Sequence, residues 1–301
     1  MPTPGGTDDS SQSTHHLAPQ STTEIPLPPA PPISPTRGQC FRPDSALRDV
    51  VHFYAGYEYG RIKPRRRMVC PNTMATISFG FGAPIRTDSM VDPGRSLSCR
   101  SRADLPPTTA SMGEHQGNVR GMTLLMTPMG AYQLFGVPMS EWNQPYLDPA
   151  HLLPRPLRHL PEQLEAATAH EQRRTLDRAL RPLLRQGPHI APEIVWAWHE
   201  LHRTHGRIRV KDLSRGTHWS VRQLERRFLQ HVGRSPAAIA RILRFARALR
   251  LQDRGLPLAR VAQLAGFHDQ AHYNHVFKAT TGLTPTQLPA DRINWTPARA
   301  A

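Results

Sequence analysis

Residues 207 to 282 constrain this chain more than any other stretch, because they hold one local pattern twice. The first copy runs from Arg207 to Gly233. Ser220 followed three residues on by Gln223 is the reciprocal pair that closes two free N–H groups at a helix start. Val221, Leu224 and Phe228 then fall at i, i+3 and i+7, one apolar stripe that Leu213 of a preceding short helix joins. Gly233 supplies the left-handed residue that ends such a helix. In the second copy, Pro257 sits at a first helical position. Leu258, Val261, Ala262 and Ala265 mark a buried face, and Gly266 marks the turn. Asp269 caps a further helix with Tyr273, Val276 and Phe277 inward, closed by Gly282. Between the copies, Ser235-Pro236 opens a long helix whose Ile239, Ile242, Phe245, Ala246 and Leu249 follow a 3.6-residue period. The two outer helices begin 49 residues apart, at Val221 and Gln270. Held on one rigid body, such helices fit successive major grooves, about 34 Å apart on one side of a duplex.

The faces left outward are polar. Arg222, Glu225, Arg226 and Gln230 lie on the first helix, and Gln270, Ala271, His272, His275 and Lys278 on the second. Arginine reads guanine and glutamine reads adenine on major-groove edges. An arginine pair alone is more simply a solvated helix face, so the charge around it decides. From Arg203 to Lys278 there are 16 Arg or Lys against four acids, in a chain whose total net charge is +15. Neutralising phosphates releases counterions, which dominates affinity for nucleic acid.

The stretch resembles the AraC/XylS family of transcription regulators. The residues that carry the resemblance are Ser220 to Phe228 and Gly233-Arg234-Ser235-Pro236. In the second unit they are Gly266 to Tyr273, Phe277-Lys278 and Gly282-Leu283-Thr284-Pro285. The resemblance implies two helix-turn-helix units bridged by a long helix, with double-stranded DNA as partner. By position it implies base contacts from Arg222, Glu225, Arg226, Ala271, His272 and His275. Members often carry Arg or Lys where His275 stands, so the second unit is expected to position more than it reads. Arg209, Arg227, Arg234 and Lys278 are the candidates for phosphate contacts, which fix register.

The rest of the chain bounds the reading. Its 301 residues suit about two domains. Cys40, Cys70 and Cys99 lie too far apart for a tetracysteine zinc site, and their odd number without a secretory leader suggests reduced thiols in the cytoplasm. No run reaches the roughly 18 apolar residues of a membrane span. His199, His202 and His205 at i, i+3 and i+6 read as a histidine-rich helix surface, since no carboxylate or thiol completes a metal set. Nucleophile-elbow, zinc-peptidase and phosphate-loop motifs are all missing, so no enzyme, cofactor or metal is expected. A methyl-accepting DNA-repair protein, which also carries an AraC-like module, is the alternative. It needs clustered thiolates that these cysteines do not provide.

In chain order, residues 1–36 form a Ser-, Thr- and Pro-rich tail, expected to be disordered, with the PLPPAPP run as an extended spacer. Residues 37–150 form a β-rich sensor or dimerisation domain. Its strands fall at Val50–Gly60, Met74–Gly82 and Val119–Gly136, with Arg65-Arg66-Arg67 in a loop and Arg95–Asn118 as a long flexible loop. Thr127 to Met139 resembles segments that precede AraC-type modules in other regulators. Tyr132, Phe135 and Trp142 read as packing before they read as a pocket. Residues 151–189 form a helical linker, helical from Leu160 to Gln186 and interrupted near Pro182. Residues 190–290 are the all-α double helix-turn-helix domain, entered by a helix with Ile194, Trp198 and Leu201 inward, and 291–301 a tail. The fold class is α+β multidomain, and the expected function is sequence-specific regulation of transcription. A small-molecule effector, RNA polymerase and a second copy of the chain are the further partners such a plan admits.

Overall fold

The computed structural model describes residues 38–60, 65–142 and 147–293. The N-terminal tail to residue 36, Lys63 and the end of the C-terminal tail lie outside the described residues. A β-rich part comes first and a helical part follows.

Two five-stranded sheets face each other. The first contains β1 (Gly38–Phe41), β2 (Val51–Tyr59), β4 (Ala75–Gly80), β7 (Arg102–Asp104) and β9 (Val119–Met126), ordered β1-β2-β9-β4-β7. The second contains β3 (Arg65–Val69), β5 (Ile85–Ser89), β6 (Ser96–Cys99), β8 (Ser111–His115) and β10 (Arg292–Ile293), ordered β10-β3-β8-β5-β6. Every pairing is antiparallel except β10 on β3. That last strand returns from beyond the helices, so the far end of the described chain is stitched into its first half. Cys70 N–H donates to the Ile293 carbonyl (3.0 Å) beside the same seam.

Three expectations fail here. Arg65-Arg66-Arg67 is not a loop: it opens β3, in register with His115, Glu114 and Gly113. Arg95–Asn118 is not a long loop, since it holds β6, β7 and β8. These strands are short, and one side of them looks onto a polar cavity, so they lack the apolar alternation by which strands are recognised. Val119–Gly136 is strand only to Met126. Thr127 then caps a helix, accepting from Gly130 N–H (2.9 Å), with Pro128 at its start. That helix, α1 (Pro128–Phe135), ends at left-handed Gly136.

The stretch from Leu160 to Gln186 forms two helices, α2 (Leu160–Ala166) and α3 (Ala169–Gln186). Thr168 and Glu171 make a capping box at the break, and Pro182 is accommodated within α3. The helix α3 is anchored by Asp177, which is buried and accepts from Tyr54 Oη (3.0 Å) and Asp44 N–H (3.0 Å). Arg173 Nη1 lies 3.3 Å from its other oxygen.

Six helices complete the helical part: α4 (Pro192–Arg203), α5 (Val210–Gly216), α6 (Val221–Val232), α7 (Pro236–Asp253), α8 (Leu258–Ala265) and α9 (Gln270–Thr281). Ile194, Trp198 and Leu201 are buried, as their spacing requires, and so are Ile239, Ile242, Phe245, Ala246 and Leu249 of α7. One apolar cluster runs from Val51 and Tyr54 through Trp142 to Leu201, Leu224 and Ile239. A second joins Met68, Cys70 and Ala110 of the β-rich part to Phe245, Val261, Tyr273 and Phe277. Each helix-turn-helix unit therefore rests on a different part of the β-rich region, and Ala110 N–H donates to the Thr280 carbonyl (2.8 Å) at the second contact. Tyr132 and Trp142 are buried, with Phe135 partly buried against them and its ring 6.2 Å from that of Trp142, and Trp142 also borders a cavity between the sheets.

Candidate nucleic-acid interface

The helices α5 and α6 form the first unit. Leu213, Leu224 and Phe228 are fully buried, whereas Val221, the first residue of α6, is only half-buried. Ser220 caps α6 by accepting from Gln223 N–H (3.1 Å), and the reciprocal bond from the Gln223 side chain is not made. The turn is fixed by Ser214 Oγ donating to the Trp219 carbonyl (2.5 Å) and by Thr217 Oγ1 donating to the Ser214 carbonyl (3.1 Å). With one face of α6 buried, Arg222, Glu225, Arg226 and Arg227 all stand in solvent. Arg227 Nη1 lies 3.4 Å from Gln230 Oε1. Among the described residues Arg222, Glu225 and Arg226 make no ion pair, so the α6 face carries uncompensated charge.

The helices α8 and α9 form the second unit. Val261, Ala262, Tyr273 and Phe277 are fully buried. Pro257 is the capping residue and α8 begins one residue later, at Leu258. Asp269 accepts from His272 N–H (2.7 Å), with His268 Nδ1 3.0 Å from its second oxygen. Ala271, His272, His275 and Lys278 are exposed. His272 Nδ1 accepts from His268 N–H (3.3 Å), which leaves Nε2 as the ring's outward donor.

Between the units α7 is the strut. Ser235 caps it, accepting from Ala238 N–H (3.2 Å), and Pro236 is its first residue. Arg244 Nη1 donates to the Gly206 carbonyl (2.8 Å), tying α7 to the turn after α4. Three of the four acids between Arg203 and Lys278 have basic partners: Asp212 with Arg215 (2.8 Å), Asp253 with Arg292, and Asp269 with His268 (3.0 Å). The positive excess read from the sequence is thus left to the solvent-facing arginines.

The candidate phosphate residues divide. Arg209, Arg227 and Lys278 are exposed on the helical part. Arg234 is turned inward: its Nε donates to the Pro106 carbonyl (2.8 Å) across the contact with the β-rich part. Burial, and then the charge of Arg95, hold its guanidinium below the usual range.

Arg234 belongs to a second feature that sequence reasoning missed. A cavity of about 580 Å³ lies between the two sheets, lined by seven arginines and a single carboxylate, Asp104. Most of these arginines are engaged. Arg102 Nε pairs with Asp104 (2.8 Å) and its Nη1 donates to Thr87 Oγ1 (2.8 Å). Arg65 and Arg67 share Asp291 at 3.6 and 2.5 Å. The guanidinium of Arg65 also lies over the Tyr59 ring, 5.7 Å from its centre. Arg95 and Arg234 come from the β-rich and helical parts respectively, and the two like charges share one wall. No local sequence pattern marks this site, because its residues are gathered from several strands and the turn before α7.

Among the described residues no group of three metal-ligating side chains converges, and no helix is long and apolar enough to cross a membrane. The histidine row of α4 divides: His199 is exposed, whereas His202 has Nε2 sealed from solvent.

A helix-turn-helix domain family matches residues 213–290. No curated protein matches the chain in sequence. Among solved structures, the chain is similar to an apo variant of ToxT from Vibrio cholerae strain SCE256, at 10% identity and a TM-score of 0.43. That match covers 82% of this chain and 98% of ToxT. It is similar also to the C-terminal domain of AraT, a response regulator from Geobacillus stearothermophilus, at 18% identity and a TM-score of 0.32, over 36% of this chain and 96% of that domain.

Proposed function

We propose that this chain, which carries a helix-turn-helix domain over residues 213–290, is a transcription regulator of the AraC type that binds duplex DNA in a sequence-specific manner through α6 and α9. One observation carries the reading. Both helices bury their apolar faces against the module's core while every candidate base-facing residue, Arg222, Glu225, Arg226, Ala271, His272 and His275, stays exposed. The strut α7 joins them into one body, the condition for entering two successive major grooves. Arg222 and Arg226 offer bidentate donors to guanine, and His272 and His275 offer single donors. Arg209, Arg227 and Lys278 serve the phosphates. Arg234 does so only in a state that gives up its bond to Pro106. RNA polymerase and a second copy of the chain are the protein partners that fit such a role, and the cytoplasm is where it would act.

The β-rich part serves as the sensor in this reading, with the inter-sheet cavity as the effector site. Seven arginines meet three carboxylates that pair with them, Asp104, Asp291 and Asp253, which leaves the cavity electropositive and suited to an anionic group beside Arg95 and Arg234. A small organic anion, a carboxylate or a phosphate ester, is the effector class this chemistry admits.

The test is selection of duplexes from a random pool by the full chain at physiological salt. A bipartite site with two short elements about one helical turn apart is the expected result. Recovery of unselected sequence would overturn the reading. The effector class is checked separately, by equilibrium dialysis of carboxylates and phosphate esters against wild type and Arg95→Ala.

A further inference from the structure

We propose that Arg65 and Arg67 form a carboxylate subsite of the inter-sheet cavity which the chain's own Asp291 fills from the rim, so that a carboxylate ligand taking these arginines releases β10 from β3. The inference rests on the reading of that cavity as an anion site, and adds how its occupancy would pass to the helical part.

The alternation of β3 builds the subsite. Arg65, Arg67 and Val69 line the cavity, whereas Arg66 between them pairs with Glu114 (3.4 Å). The side chains of Arg65 and Arg67 are only 25% and 13% exposed. Both turn to one carboxylate. Arg67 donates to Asp291 Oδ1 from Nε (3.0 Å) and Nη2 (2.5 Å), and Arg65 Nη2 lies 3.6 Å from Oδ2. The Asp291 side chain is 61% exposed. The donors are thus set in the wall, while the acceptor is held at the surface and can be exchanged. An enclosed guanidinium calls for an anion, but not for one that belongs to the chain. Asp104, the carboxylate of the cavity wall, is no rival, because it pairs with Arg102 (2.8 Å).

Asp291 is joined to the strand that stitches the two parts together. Arg292 and Ile293 pair with Met68 and Val69, and Cys70 N–H donates to the Ile293 carbonyl (3.0 Å). Arg292 also pairs with Asp253, the last residue of α7, and its Nη1 donates to the Pro289 carbonyl (2.9 Å). The fork of Arg67 is filled by Asp291, so a ligand carboxylate cannot take it without displacing that residue. An ion pair to an exposed carboxylate is weak, and the opposition to displacement is small. Ligand and Asp291 therefore exclude one another, and each weakens the other by the same factor. Elsewhere the seam uses Ala110 N–H on the Thr280 carbonyl (2.8 Å) and the cluster that joins Met68 to Phe277. Release of β10 loosens the seam beside α9 without parting it.

The experiment is hydrogen exchange of the full chain at pH 7.5 in sodium acetate and in sodium chloride at matched ionic strength, read on a peptide covering Cys70. In wild type the opening constant should rise by about two- to fivefold in acetate over chloride, the range set by a weak ion pair. In Asp291→Ala it should already be raised in chloride and should not respond to acetate. Arg65→Gln with Arg67→Gln should likewise be raised and unresponsive, which separates the subsite from a general effect of the salt. A wild type indifferent to acetate, or an Asp291→Ala chain as protected at Cys70 as wild type, overturns the proposal. Arg95 stands beside β6, at the opposite edge of the sheet from β10 and β3. Dialysis with Arg95→Ala therefore tests the effector reading apart from the response at Cys70, and either can fail while the other stands.

Discussion

Arg226 on α6 and Lys278 on α9 are both exposed cations, yet they should act differently. A guanidinium presents a planar fork to a guanine edge, whereas an ammonium is a compact point charge suited to phosphate. We expect Arg226→Ala to cost about 1–3 kcal/mol at one or two base positions and to relax preference there, as read from a selection-based binding profile. Lys278→Ala should weaken all sequences alike and flatten the salt dependence by about one unit. Arg234 marks the limit of reading residue by residue. Its place after Gly233 suggests a phosphate contact, but its guanidinium sits at the cavity on the Pro106 carbonyl. Arg234→Ala should therefore leave the salt slope close to wild type while lowering affinity for an organic anion in dialysis. An unaltered anion affinity would argue against the cavity's assigned role.

At the scale of elements, the module's helices and the long strands β2, β4 and β9 were legible, whereas β6 to β8 and α1 were not. The caps Ser220, Ser235 and Asp269 and the closing glycines Gly233, Gly266 and Gly282 all act as their sequence positions require. Capping is a contact within four residues, so the local sequence contains the whole of it. The strands β6 to β8 escaped because their pairing partners are distant and one face borders a polar cavity. Gly233 shows both levels at once. Its φ of 72° ends α6, and a β-carbon there would lie 2.3 Å from Leu105 Cδ2 and 2.9 Å from the Met139 carbonyl oxygen. Gly233→Ala should cost about 1–3 kcal/mol, combining left-handed strain with a clash against the β-rich part. Gly255→Ala is the matched control: φ is 77° with open space around it, so only the strain, about 1 kcal/mol, should appear in urea unfolding.

For the whole molecule, buried His52 and half-buried His202 set a direction for acid stability. Their folded pKa values lie below the unfolded value near 6.5, so the folded chain binds fewer protons than the unfolded one as pH falls. Stability is full above about 6.5 and drains as pH falls from there towards about 4 for His52, by up to about 1.4 kcal/mol per pH unit for that residue. Thermal melts at pH 7.5 and 5.5 should show a lower Tm in acid, with the difference reduced in His52→Leu. The sequence alone determined the helix-turn-helix pair, its buried stripes and its surplus of positive charge, because each arises from neighbours within one or two helical turns. Only the tertiary structure decided that the returning strand β10 stitches the far end of the described chain to its first half, and that seven arginines surround one cavity. Such juxtapositions join residues as distant as Arg67 and Asp291, 224 positions apart, and contact across that length leaves no periodicity in the string of residues that makes it.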